Sequence, residues 1–290
     1  MVLTPIQYLW IVSAGLLGLL VGSFLNVCIH RMPQECLSLS RPRSRCPHCR
    51  SGIAWYDNVP VLSWLILRGQ CRKCHAAISF RYPCIELLTG ALFAWAAAVQ
   101  VGRLDLWAGT DERIVLFVVH AWLISALVVS TFIDFDYKII PDEITLSSAA
   151  LAPVACALFP FLHEADLPPD LVIEKTRLAG LLAALVGMSV GAGIVWGFGK
   201  IGELMFRKEA MGLGDVKLMA GIGGFLGWKA AVLIFLGACI VGSVFGILIR
   251  IRTGSRYVAF GPYLAFCSLG MIFFYRPVMH FINGYFDQLK

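Results

Sequence analysis

Long apolar stretches alternate with short polar ones along most of the chain. Apolar runs lie near residues 7–28, 84–101, 114–133, 144–162, 178–199, 216–228, 230–251 and 258–280. Most approach the ~20 residues that a helix needs to cross roughly 30 Å of hydrocarbon. The sixth run is short and glycine-rich ("GIGGFLG"), so it can tilt, break or merge with its neighbour, leaving seven or nine spans open. One long polar interruption, residues 30–82, is rich in Pro, Ser, Arg and Cys and has no helical period. The pattern predicts an all-α polytopic membrane protein of about eight transmembrane helices in three parts. These are a first helix (1–29), a small soluble insert (30–82) and a membrane bundle (83–290).

Composition agrees: 59% of the residues are hydrophobic, 14% are charged, and the mean hydropathy is +0.78, which excludes an ordinary soluble domain of this size. The start, "MVLTPIQYLW", has no basic segment and no small-residue cleavage pattern after the apolar run, so a retained first helix is expected and not a signal peptide. The insert carries eight arginines and one lysine against Glu35 and Asp57, a surplus of seven. Basic loops stay on the cytoplasmic side, so the insert is expected in the cytoplasm and the N-terminus outside. The loops 102–113 and 163–177 then fall outside and sum to −1 and −2. A bilayer accounts for this asymmetry without any nucleic-acid partner. No internal repeat or low-complexity tract is visible.

Within the insert, "CPHC" (Cys46, Cys49) and "CRKC" (Cys71, Cys74) stand 21 residues apart, the two-knuckle spacing of a structural zinc site. Four thiolates closing a tetrahedron would order a segment too small for its own core and leave no position for a catalytic water. Two disulfides disagree with a reducing cytoplasm, and a redox pair lacks its βαβ context. His48 and His75 read as bystanders. Cys28, Cys36, Cys84, Cys156, Cys239 and Cys267 have no metal spacing and read as small hydrophobes.

Carboxylates at a membrane boundary are costly unless paired or functional. "TFIDFDYKIIPD" carries Asp134, Asp136 and Asp142 at the inner end of the third span, and "MGLGDVK" places Asp215 at the lip of the sixth, on the same side. Asp142, after Pro141, is expected to cap the fourth helix, and capping is an open reading for Asp215. Asp134 has no capping role at a helix C-terminus, where the dipole opposes a negative charge. Two carboxylates brought close cannot both ionise. One then stays protonated while the other acts as base on a water between them. Asp215 paired with Asp134 would give that dyad, although spacing does not choose Asp134 over Asp136. His120, 14 residues from Asp134 on the same predicted helix, is about 21 Å away and reads as a hydrogen-bonded helix histidine.

Taken in order, these segments resemble the type IV prepilin peptidases, membrane aspartic proteases of the GxGD class that are often also N-methyltransferases. "GSFLNVCIHRMP" resembles the family's opening signature, the CxxC pair its zinc module, and "RYPCIEL" the entry to its second helix. "IDFDYKIIPD" and "GLGDVK" resemble its two aspartate motifs, and "FGPYLA" its last helix. The resemblance implies catalysis by Asp134 and Asp215, zinc at Cys46, Cys49, Cys71 and Cys74, and a glycine important for methylation at Gly69. It also implies removal of the basic leader from prepilins or type II secretion pseudopilins after a glycine, at the cytoplasmic face of a bacterial inner membrane. The new N-terminus is then methylated with S-adenosylmethionine as donor. No strand–GxGxxG–helix unit is present to hold that donor, and "GIGGFLG" reads as helix packing. Two other classes compete with this reading. One is an ion- or proton-coupled transporter using intramembrane aspartates, although the carboxylates lie at the boundary. The other is a metal-organised scaffold without chemistry. Oligomeric state is not legible.

Overall fold

The computed structural model describes residues 4–34, 44–103, 110–163, 177–207, 211–253 and 259–288. Eight substantial helices occupy the eight apolar runs. They are α1 (Pro5–Arg31), α3 (Arg81–Arg103), α4 (Thr110–Tyr137), α5 (Asp142–Leu158), α6 (Arg177–Phe206), α7 (Leu213–Leu226), α8 (Trp228–Thr253) and α9 (Gly261–Gln288). The insert adds only the short α2 (Leu62–Ile66) and a 3-10 turn, Trp55–Asn58. Among the described residues, β structure is limited to two isolated bridges, Arg45 with Gly52 and Gln70 with Ala77.

Five helical segments are long and apolar enough to cross a membrane: Pro5–Arg31, Arg81–Val101, Glu112–Tyr137, Arg177–Met205 and Trp228–Arg252. The protein is a multi-pass membrane protein. On the last of these only 17% of the apolar window is buried, and side chains such as Ile240 and Ile247 project outward. Lipid is the solvent that such a surface requires. The sixth run neither breaks nor merges: α7 is a helix of its own, closed by Gly227 at φ +85°, a left-handed conformation that glycine adopts without a Cβ clash. The apolar part of α9 ends earlier than its hydrogen bonding, because Phe274 leaves helical geometry just before Pro277. The proline lacks an N–H and its ring collides with the carbonyl four residues back, which kinks the helix.

The chain forms two compact units, Met1–Val129 and Ser130–Lys290. In the first, α1 packs along α3, and its start is fixed by a capping box in which Thr4 and Gln7 bond each other's backbone N–H. The "GSFLN" stretch explains the approach of the two helices. A Cβ on Gly22 would lie 2.8 Å from Glu86 Cα, Ser23 bonds the Glu86 carboxylate, and Asn26 Nδ2 donates to the Tyr82 carbonyl at 3.1 Å. Phe117 of α4 meets Trp10 and Phe93 edge to face. In the second unit, α5, α6 and α7 pack against one another and α8 lies against α6 and α9. The "GIGGFLG" run is a packing seam, as expected: Gly187 and Gly223 each sit against the other's carbonyl. Small residues let backbones approach this closely within a membrane.

Candidate metal module and carboxylate pair

Each CxxC pair closes a tight turn of the same design. In the first, Cys46 N–H bonds Ser51 O, Arg50 N–H bonds Cys46 O, and Ile53 N–H bonds Ser44 O. In the second, Cys71 N–H bonds Ala76 O, His75 N–H bonds Cys71 O, and Ile78 N–H bonds Gly69 O. Arg50 and His75 occupy equivalent left-handed positions at φ 54° and 57°. The module thus contains a short repeat that the sequence reading missed. Its hydrogen bonds are backbone to backbone, so little beyond C-x-x-C had to stay alike.

The four Sγ atoms lie within 4.8 Å of one another, an arrangement able to hold a metal ion. The donor set is all sulfur, which suits tetrahedral zinc. Cys49 is drawn down to about 6, first by the Ser51 hydroxyl 2.9 Å away and then by the Ser51 N–H. Cys71 is drawn down by the N–H groups of Cys74 and Lys73. Cys74 holds its proton longest, pushed up to about 11. The Ala76 N–H favours its thiolate, but desolvation and the neighbouring thiols outweigh it. His48 and His75 stand outside the cluster, as expected. Cys36 lies outside the described residues.

Gly69 has a structural reason to be glycine: its φ is +68°, and a Cβ there would press 2.9 Å from the Trp64 indole. Trp64 Nε1 in turn donates to Ile78 O at 3.1 Å, fastening the indole to the second knuckle.

The two aspartates come together within the second unit. Asp134 lies on the last turns of α4 and is buried at 5% exposure, whereas Asp136, two residues further round the helix, is exposed. Burial separates what spacing did not. The helix stops just beyond them, where Lys138 turns left-handed at φ 59° and its N–H bonds the Asp134 carbonyl. Pro141 then keeps Ile140 out of the helical region.

The Asp134 carboxylate points to the start of α9, where Gly261 N–H donates to its Oδ2 at 3.1 Å. A first-turn N–H has no partner within its own helix, and the positive end of the dipole favours an anion there. Asp134 is poorly placed on its own helix and well placed on another's. A Cβ on Gly261 would lie 2.7 Å from that oxygen and 3.2 Å from Ile140 Cδ1. Ile140 also packs on Gly214, whose Cβ would lie 3.1 Å from Ile140 Cβ. Asp215 follows Gly214 directly, in the first turn of α7 and half-buried, and it interacts electrostatically with Asp134.

Two expectations are corrected here. Asp142 is the first residue of α5 and not its cap, a position held by Pro141 without a side-chain bond. The Asp142 carboxylate instead takes two bonds from Lys217 Nζ, at 2.7 and 2.9 Å, since an ammonium offers stronger hydrogen bonds than a neutral N–H. Asp215 does not cap α7 either: Gly212 occupies that position without a side-chain bond. His120 is buried and hydrogen-bonded to Gln100 at 3.4 Å, as expected. The parts that sequence reasoning missed are the Gly261 N–H, the Ile140 wedge and the Lys217–Asp142 pair. Only Gly-Pro at the start of a span hinted at the first.

Fold and site define a multi-pass helical membrane protein with a four-thiol module in one unit and, in the other, two aspartates at neighbouring helix ends. The sequence profile of the bacterial peptidase A24 N-terminal domain matches residues 16–100, and that of the type IV leader peptidase family matches residues 121–247. The chain belongs to the type IV leader peptidase family, and that membership makes it an enzyme of the peptidase class. Its relatives include the prepilin leader peptidase/N-methyltransferase of Myxococcus xanthus, 42% identical over 85% of this chain and 65% of that protein. The protein of the same description from Aeromonas hydrophila is 35% identical over 90% of this chain and 89% of its own length. That from Stutzerimonas stutzeri is 33% identical over 91% and 92%. No solved structure matches the chain.

Proposed function

We propose that the protein removes the basic leader of type IV prepilins or type II secretion pseudopilins after a glycine and then methylates the new N-terminal amine. Asp134 and Asp215 are the catalytic pair of this reading. The observation that carries it is their convergence through the Gly261 N–H, Ile140 and Gly214, in a chain of this family.

A pair of close carboxylates shares one proton. The ionised member takes a proton from water as the water oxygen bonds to the scissile carbonyl carbon. The protonated member donates to the carbonyl oxygen, and collapse of the tetrahedral species expels the amine with a proton. The Gly261 N–H orients Asp134 throughout. Cys46, Cys49, Cys71 and Cys74 hold Zn²⁺ as a structural ion, since four sulfurs leave no site for water. The basic insert and both aspartates face the cytoplasm, with the N-terminus outside and the substrate's apolar helix in the inner membrane. S-adenosylmethionine supplies a methyl on a positively charged sulfur. When bound, it would offer that methyl to the new N-terminal amine, which would lose a proton to solvent.

The test is incubation of purified protein with a prepilin, reading leader loss by mass. Folded Asp134→Asn and Asp215→Asn should each lose roughly 10³-fold or more in rate, with Asp136→Asn close to the unaltered enzyme. Cleavage surviving either of the first two removes that residue from the mechanism. A gain of about 14 Da per methyl when the donor is added, the mass of the CH₂ that replaces N–H by N–CH₃, tests the second activity.

A further inference from the structure

One ion pair at the helix starts of the second unit takes no part in the chemistry above. Lys217 Nζ bonds both carboxylate oxygens of Asp142, at 2.7 and 2.9 Å, and so ties α7 to the first residue of α5. We propose that Lys217 and Asp142 are positioning residues for the reaction: their ion pair sets the register of α7 against α5 and thereby where Asp215 stands relative to Asp134. This rests on the aspartate reading above and adds what fixes the spacing of the pair.

The path of the chain is the first argument. The connector that leaves Asp134 turns at Lys138, with φ 59°, packs Ile140 on Gly214 and enters α5 at Asp142. It therefore meets α7 on either side of Asp215 in sequence, at Gly214 and at Lys217. The Ile140 contact is apolar and without direction. The ammonium contact, made to both oxygens of one carboxylate, fixes a point.

The seam behind it is the second argument. Further along, α5 and α7 face each other through small residues. A Cβ on Gly221 would lie 2.9 Å from Ser148 Cβ, and one on Gly224 would lie 2.7 Å from Ala152 Cβ. Such residues permit close approach but offer few ridges to oppose sliding. The Cys156 thiol also reaches the Gly224 carbonyl, at 3.6 Å, yet a thiol is a weak donor. A slip of one residue along a helix is about 1.5 Å, and misplacement by about 1 Å can cost roughly 10²-fold in rate. Neither helix start is held by a side-chain cap, since Pro141 and Gly212 occupy those positions without one. The pair itself is open to solvent, 37% at Lys217 and 57% at Asp142, so it adds little to global stability. Its loss should appear in rate and not in unfolding.

The test measures kcat and KM for leader cleavage by the full-length protein in detergent, with thermal unfolding of each variant alongside. Lys217→Met and Asp142→Asn should each lower kcat by about 10-fold to 10²-fold, with KM and Tm nearly unchanged. Lys217→Arg, which still offers the carboxylate a cation, should keep most of the rate. Lys217→Asp combined with Asp142→Lys exchanges the ends of the pair at the same summed length, and should be at least about tenfold faster than Lys217→Asp alone. Where a neutral variant loses Tm, this exchanged pair decides. Full kcat in both neutral variants overturns the clamp and leaves the aspartate pair standing. A loss confined to KM would make the pair a contact for the leader and overturns it too, as does an exchanged pair no faster than Lys217→Asp. An unaltered protein that cleaves no prepilin overturns the peptidase reading, and the clamp with it.

Discussion

At Gly261 a missing methyl group decides where a carboxylate sits. The Asp134 oxygen lies 2.7 Å from where a Cβ would be, so Gly261→Ala must push the acid off the first turn of α9. Misplacement by about 1 Å can cost roughly 10²-fold in rate, and that loss is expected in kcat, with leader affinity nearly unchanged, by single-turnover cleavage. A smaller residue-level effect belongs to Asp57. The Arg72 guanidinium, hydrogen-bonded to it, holds its carboxyl below the usual range. A lowered native pKa stabilises the fold above the unfolded value of about 3.9 and loses that contribution as pH falls through the native value. Hydrogen-exchange protection of the thiol module should therefore be greater in the unaltered protein than in Asp57→Asn at pH 7. The two should converge in strong acid; a gap that persists there would remove the ion pair as its cause.

Helices were the most legible level of this protein, because each apolar run is long enough to declare itself against a polar background. All eight runs hold a helix. What periodicity did not show is which small residues make contact, since glycine in a membrane span is compatible with a seam or with open lipid. The structure separates two such cases on the same helix. A Cβ on Gly187 or Gly223 would enter the other's carbonyl, whereas one on Gly193 meets nothing within 4 Å. Gly223→Ala must force α6 and α7 apart, at a cost of about 2 kcal/mol or more. A drop of about 4 °C or more in Tm is expected in detergent. Gly193→Ala should be neutral or slightly stabilising, as alanine is the better helix former; equal losses in both would mean that the seam does not set stability.

At the scale of the whole molecule, the two units derive their order from different sources, and only one source is visible as hydropathy. The helical bundle buries apolar side chains, so it was readable from the runs. Between Ser44 and Phe80 only Cys46, Pro60, Ser63 and Gly69 are buried, too few for a core. There the sequence declared its staple through cysteine spacing instead, and the aspartate pair, assembled from α4, α7 and α9, was readable only as separate motifs. If metal supplies the order of the insert, a strong chelator should unfold it selectively, because binding free energy in such small modules is folding free energy, about 10–16 kcal/mol for structural zinc. The amides of Cys46, Ile53, Cys71 and Ile78, which close the two knuckles, should then lose at least about 100-fold of their exchange protection. Amides of α6 and α7 should not change. Leader cleavage, proposed for Asp134 and Asp215 of the second unit, should outlast that loss of protection. Retained knuckle protection after complete metal loss would mean that the turns stand by themselves and that the four thiols serve another end.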